Sequence, residues 1–212
     1  MPFVETERQS LVDTLRNTAP DAPTLCQGWD VRRLLGHLVQ REHDVVGSAA
    51  DAVQRAQPGQ EKHLGRLADS AGTADGYEAL IGRFAAGPPR WSPMSWAGEN
   101  LNLVEYVIHH EDVRRGAGPV EPRDLSIGET AAVWKRVPLF ARLTYRSCPV
   151  GVLLERRGGP STVVKKGDPT VTLTGEPVEL ALYVTGRRGA AQVQLSGSPE
   201  AVEQFEAWAA RS

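Results

Sequence analysis

Glu105 and His109 stand four residues apart within Leu101-Asn102-Leu103-Val104-Glu105-Tyr106-Val107-Ile108-His109-His110-Glu111-Asp112-Val113-Arg114-Arg115. On a helix this spacing sets a carboxylate and an imidazole one turn apart on one side, beside Leu101 and Ile108, which read as core positions. Polar groups among apolar neighbours are costly unless something pairs them. His37, in Leu34-Leu35-Gly36-His37-Leu38-Val39, offers a second imidazole from an earlier helix. Two helices supplying His, Glu and His make a three-ligand metal site with an open position. Two imidazoles and one carboxylate suit catalytic zinc, because they leave room for water, thiol or a substrate oxygen. The same donors serve non-haem iron, so the residues alone leave the divalent metal open.

The neighbours carry competing readings. His110 points ~100° around the helix from His109 and is expected either behind the ligands or toward solvent. Asp112 returns to the side of His109; it either orients that ring through its other nitrogen or pairs with Arg115 or Arg33. Glu42 and His43 either line the site or lie at the surface. Cys26 and Cys148 are far apart and form no CxxC pair, and Cys26 reads first as a buried loop residue. Trp91 and Trp96 either wall the pocket or close the end of the helices, packing being the stronger reading.

The elements that must hold these groups are helical in the first half. Val4, Leu11 and Leu15 share one side of a helix over about 4–17 that Pro20 and Pro23 end. Asp30 caps a second helix, with Trp29 and Leu34 placed for a hydrophobic staple and Val31, Leu34, Leu35, Leu38, Val45 and Val46 as its buried stripe. Residues 54–74 are polar with little periodicity, apart from a short turn near Leu64 and Leu67, and read as a long loop. Tyr77, Leu80, Ile81 and Phe84 mark a third helix ended by Gly87-Pro88-Pro89, and residues 98–115 a fourth that finishes at Gly116. Four helices with a long connection fit a bundle.

The texture then changes. Gly116-Ala117-Gly118-Pro119-Val120-Glu121-Pro122 reads as a linker, dividing the chain into a helical domain over 1–118 and a second domain over 119–212. A helix is expected over 127–143, kinked or bounded at Pro138. Strands are expected at 151–155, 162–165, 171–174 and 191–195, with helices starting at Pro177 and Pro199. The fold class is therefore α+β, a helical bundle followed by a small α+β domain that serves as a pocket wall or as a homodimer surface.

Composition excludes several functions. A formal net charge of -2 with mixed signs gives no nucleic-acid footprint. No apolar run approaches the ~18 residues of a membrane span, and the first residues lack an export signal, so a cytoplasmic protein is expected. No phosphate-cradling glycine loop follows a strand, and neither Ser161 nor Ser196 lies in a nucleophile elbow.

The stretch Pro23-Thr24-Leu25-Cys26-Gln27-Gly28-Trp29-Asp30-Val31-Arg32-Arg33-Leu34-Leu35-Gly36-His37-Leu38-Val39, together with Glu105-Tyr106-Val107-Ile108-His109-His110-Glu111-Asp112, resembles the mycothiol-dependent maleylpyruvate isomerase family within the DinB-like metalloproteins. The resemblance implies a DinB-like four-helix bundle whose divalent metal, Zn2+ or another, is held by His37, Glu105 and His109. It also implies mycothiol as thiol cosubstrate. The segment Val171 to Arg188 is similar to the small domain attached to such bundles, where a basic position matched by Arg187 and Arg188 projects toward the metal. Arg187 is thereby expected to act on a carboxylate-bearing substrate, joined by Arg83 from the third helix, and Arg187, Arg188 and Trp96 to contact the thiol; the alternative for Arg187 and Arg188 is an exposed turn made soluble by two Arg residues. The function implied is isomerisation or conjugation of a small electrophile. The alternatives are a thiol-independent DinB-like metalloenzyme that activates water, and a noncatalytic metal- or ligand-binding protein.

Overall fold

Asp30 starts the helix that carries His37: its carboxylate accepts the Arg33 N–H at 2.8 Å, and Gly28 supplies the left-handed turn before it (φ 77°). The computed structural model describes residues 2–54, 59–96 and 98–211. Their contacts cluster into two units, Met1–Pro122 and Arg123–Ser212.

The first unit is a helical bundle of α1 (Pro2–Arg16), α2 (Val31–His43), α3 (Val45–Gln54), α4 (Lys62–Ser70), α5 (Ala74–Ala85), α6 (Pro93–Trp96) and α7 (Gly98–Arg115). One core joins its four longest members: Leu11, Val12 and Leu15 of α1, Val31, Leu34, Leu35, Leu38 and Val39 of α2, Ile81 and Phe84 of α5, and Tyr106 and Val113 of α7. α7 is sunk in the protein, for residues 102–113 are all buried except Glu105. That one partly open position decides where a site on this helix can be reached.

Two expectations for this unit are corrected. The second helix does not run on through Val45 and Val46. It stops at Asp44, whose carboxylate accepts the Gly47 N–H at 2.9 Å and so starts α3 in a new direction, leaving Val46 exposed. Nor is 54–74 a loop throughout. α4 buries Leu64 and Ala68, a pair too short to show a period, and it is capped from a distance. The Asp51 carboxylate accepts the N–H groups of His63 (3.1 Å) and Leu64 (3.0 Å), together with Gln40 Nε2 (2.8 Å). Residues 55–58 of that segment lie outside the described residues. α7 ends at Arg115, directly before Gly116 as expected, and Gly116 also serves the packing: a Cβ there would strike Pro23 O and Thr24 Cα, so its absence admits the loop that bears Cys26.

The second unit comprises α8 (Ile127–Thr144), β1 (Gly151–Arg156), β2 (Ser161–Lys165), β3 (Thr170–Gly175), α9 (Pro177–Val184), β4 (Gln194–Gly197) and α10 (Pro199–Ala209). The mixed sheet has the order β2-β1-β3-β4, with β1 and β3 parallel and both outer pairs antiparallel. Alternation buries Val152, Leu154, Val171 and Leu173 on one face. Tyr145, Phe205 and Trp208 stack nearby with ring centroids 5.7–5.9 Å apart. α8 continues through Pro138 to Thr144. The last strand begins later than the apolar pattern predicts, because Glu179 accepts the Gln192 N–H at 2.7 Å and draws that residue out of the ladder. No helix among the described residues is long and apolar enough to cross a membrane.

Candidate metal centre

α2 brings His37 and α7 brings Glu105 and His109, and one ligand atom from each lies within 4.8 Å of the others. His109 Nε2 is 3.3 Å from Glu105 Oε2, and the His37 and His109 rings meet edge to face with centroids 5.1 Å apart. The indole of Trp29 lies 5.1 Å from His37 on its other side. Gly36 lets this part of α2 come close to α4, since a Cβ there would sit 3.1 Å from Leu64 Cδ1.

The opposite edge of His109 is fixed. Its Nδ1 donates to Asp112 Oδ2 at 2.9 Å, and the Cys26 thiol donates to the same oxygen at 3.1 Å. Asp112 therefore orients the ring, while Arg115 pairs with Glu111 and Arg33 with Glu61. Cys26, His109 and Asp112 form a second set whose donor atoms also fall within 4.8 Å. Both sets need His109 but use different ring nitrogens, and a neutral imidazole lends only one lone pair. Asp112 is fully buried whereas Glu105 is partly open, so the His37, Glu105 and His109 set alone combines two neutral nitrogens with a reachable face. The donor types and their convergence fit a divalent ion.

The electrostatics reflect this crowding. Burial pushes the Glu105 carboxyl up, but the hydrogen bond and charge of His109, helped by Arg41 and His37, hold it at about 2. Burial opposes a charge on His109, yet Asp112, Cys26 and Glu105 together raise it well above the ordinary histidine value. The two groups form an ion pair in the protein as it stands, and a metal ion would take the place of the proton.

Other residues singled out by their type fall elsewhere. His110 is neither behind the ligands nor at the surface: it donates through Nδ1 to Glu7 at 2.8 Å and is hydrogen-bonded to Thr14 through Nε2 at 2.7 Å, tying α7 to α1. Glu42 is wholly buried, paired with Arg8 at 2.9 Å and hydrogen-bonded by the Tyr106 hydroxyl. Arg83 is exposed on α5. Trp91, which precedes α6, and Trp96, which ends it, do not pack into the core and are 64% and 76% exposed. Arg187 lies in the second unit and donates to Thr185 O at 2.7 Å. Arg188 bonds Ala209 O, and its guanidinium lies 6.0 Å from the Tyr183 ring centroid and 5.9 Å from that of Trp208.

One residue that the motifs did not single out stands beside the centre. Arg41 follows His37 by one turn of α2, and its Nε lies 3.8 Å from Glu105 Oε2. A cavity of ≈ 660 Å³ adjoins the loop of Cys26 and is lined by Asp21, Cys26, Trp29, Arg32, Arg33 and Asp69 among others.

The family model described as mycothiol maleylpyruvate isomerase N-terminal domain matches residues 5–114, which include every candidate ligand. No curated protein and no solved structure matches the chain.

Proposed function

The chain belongs to the mycothiol maleylpyruvate isomerase N-terminal domain family, and on that premise we propose that it is a zinc-dependent enzyme using mycothiol to isomerise or conjugate a small, carboxylate-bearing electrophile. Membership and the two donor sets together support a metalloenzyme of this broad family. The observation that carries the reading is the convergence of His37, Glu105 and His109 within 4.8 Å.

A divalent ion held by His37, Glu105 and His109 would supply a Lewis acid that lowers the pKa of a thiol or water in its open position. The protein's own groups set up that chemistry. Asp112 holds one ring proton of His109 on Nδ1, so that loss of the other would free Nε2, on the side of Glu105, for a metal ion. Glu105 contributes one negative charge, and Trp29 flanks the His37 ring and shields it from water on that side. The thiolate adds to the electron-poor carbon of a conjugated double bond, and the electron pair moves onto the adjoining carbonyl. The former double bond then rotates, and reversal of the addition returns thiol and isomer. Protonation of the adduct instead retains the thioether, which is conjugation. Arg187 and Arg83 are proposed to grip the substrate carboxylates, with Arg188 and Trp96 directed to the thiol.

Elemental analysis of protein purified without an affinity metal tests the premise. Near-stoichiometric metal is expected, falling to background in both His37→Ala and His109→Ala, while the helical content of each variant stays unchanged. Metal retained by either variant would remove that residue from the ligand set. Consumption of an electrophile should then require thiol. Equal turnover without thiol would assign the centre to water activation, and bound metal with no turnover to ligand binding.

A further inference from the structure

Arg41 is held but, among the described residues, not consumed. Its Nη1 donates to Asn102 Oδ1 at 3.1 Å, and Asn102 Nδ2 in turn donates to Met94 O at 2.9 Å, so the guanidinium is braced against α6 and the start of α7. Its Nε stands 3.8 Å from Glu105 Oε2, within ion-pair range but beyond a hydrogen bond. No acceptor among the described residues takes its remaining N–H groups. The side chain is 15% exposed and that of Glu105 is 29% exposed, so both are partly open to solvent beside the ligand set.

A cation placed here opposes the very ion that the centre would hold. Among the described groups that touch the ligand set, Glu105 and Asp112 would balance the two charges of a bound divalent ion, and Arg41 would add one positive charge. The Arg8 and Glu42 pair nearby cancels itself. A positive centre with an open position selects an anion, and a planar guanidinium with donors that no described residue takes suits a carboxylate specifically. We propose that Arg41 is a specificity-determining residue of the metal centre, receiving one carboxylate of an anionic ligand whose other end reaches the open metal position. This rests on the metal-centre reading above and adds to it a second contact, made within the helical unit itself.

The test uses the full chain loaded with Co2+, whose visible spectrum reports both the metal and its ligands. Succinate serves as the dicarboxylate probe and imidazole as the neutral one. Arg41→Gln is expected to weaken succinate binding by about 10-fold or more, the worth of a charged hydrogen bond, with imidazole affinity unchanged and Co2+ affinity equal or higher. Arg41→Lys, which keeps the charge without the fork, should fall between wild type and Arg41→Gln and guards against a folding defect. Succinate binding unaltered in both variants, or succinate and imidazole weakened alike, would overturn the role of Arg41 and leave the metal centre standing. Failure of the wild type to bind Co2+ would overturn both.

Discussion

At the scale of single residues, His109 is the most constrained group of the centre, because each of its nitrogens faces a carboxylate. Cys26 matters through that constraint: its thiol satisfies the buried Asp112 oxygen to which the ring donates. Outer partners of this kind typically change metal affinity by about 10–100-fold. Asp112→Asn should therefore weaken Zn2+ by that order in a chelator competition, and Cys26→Ala by its lower end. Cys26→Ser should stay near wild type, since a hydroxyl also donates. Equal losses in Cys26→Ser and Cys26→Ala would instead make the sulfur a metal ligand. The placement of Glu105 and His109 on one side was legible in their spacing, for the helix period is fixed by the backbone. Arg41 repeats the same spacing after His37, so half of its signal stands in the sequence. The other half, that Glu105 lies across from it, depends on how α2 and α7 pack, as does the pairing of His110 with Glu7. No local pattern encodes either.

At the scale of elements, two buried carboxylates fasten helices that the apolar pattern alone would leave loosely arranged. Arg8 of α1 reaches Glu42 of α2, Phe84 O of α5 (2.7 Å) and the Tyr106 hydroxyl of α7, and its guanidinium lies 4.8 Å from the Phe84 and Tyr106 rings. Arg8→Met would strand Glu42 without its cation and should cost about 3–5 kcal/mol in denaturant unfolding. Asp51 acts at the start of α4. Burial pushes its carboxyl up, but the donors on Gln40, His63 and Leu64 outweigh this and hold it well below the usual carboxylate range. A carboxyl depressed in the folded state stabilises fully above its unfolded pKa of ~3.9 and loses that contribution as pH falls toward the folded value. Asp51→Asn should thus cost about 1–2 kcal/mol at neutral pH, the range of a lost helix cap. The difference from wild type should shrink steadily below about pH 4. A gap independent of pH would mean that the amide's shape, not the charge, is what α4 requires. The long-range cap also explains why α4 was hidden: its starting signal is on α3, eleven residues before the helix begins.

At the scale of the molecule, both candidate donor sets and their supporting groups belong to residues before Pro122, and each unit has a core of its own. The α+β architecture could be read from the switch in apolar period beyond Gly116, since a helical stripe and a strand alternation are local properties. Arg188 shows what such reading misses. Its pair with Arg187 looks like an exposed basic turn, yet it bonds Ala209 O and sits beside Trp208, which fastens α10 to the end of α9. Separate cores make a separable prediction. Residues 1–122 and 123–212, produced apart, should each unfold cooperatively, and only the first should respond to metal. A ligand that binds only the folded state adds ~2.7 kcal/mol at a hundred times its dissociation constant, so Zn2+ at that excess should raise the melting temperature of 1–122 by several degrees and leave 123–212 where it was. His109→Ala in the 1–122 fragment should abolish the shift. A shift that persists in that variant would mean that Zn2+ stabilises the helices from some other group of side chains, and a fragment 1–122 that stays unfolded even with Zn2+ would show that the bundle needs the second unit to close its core.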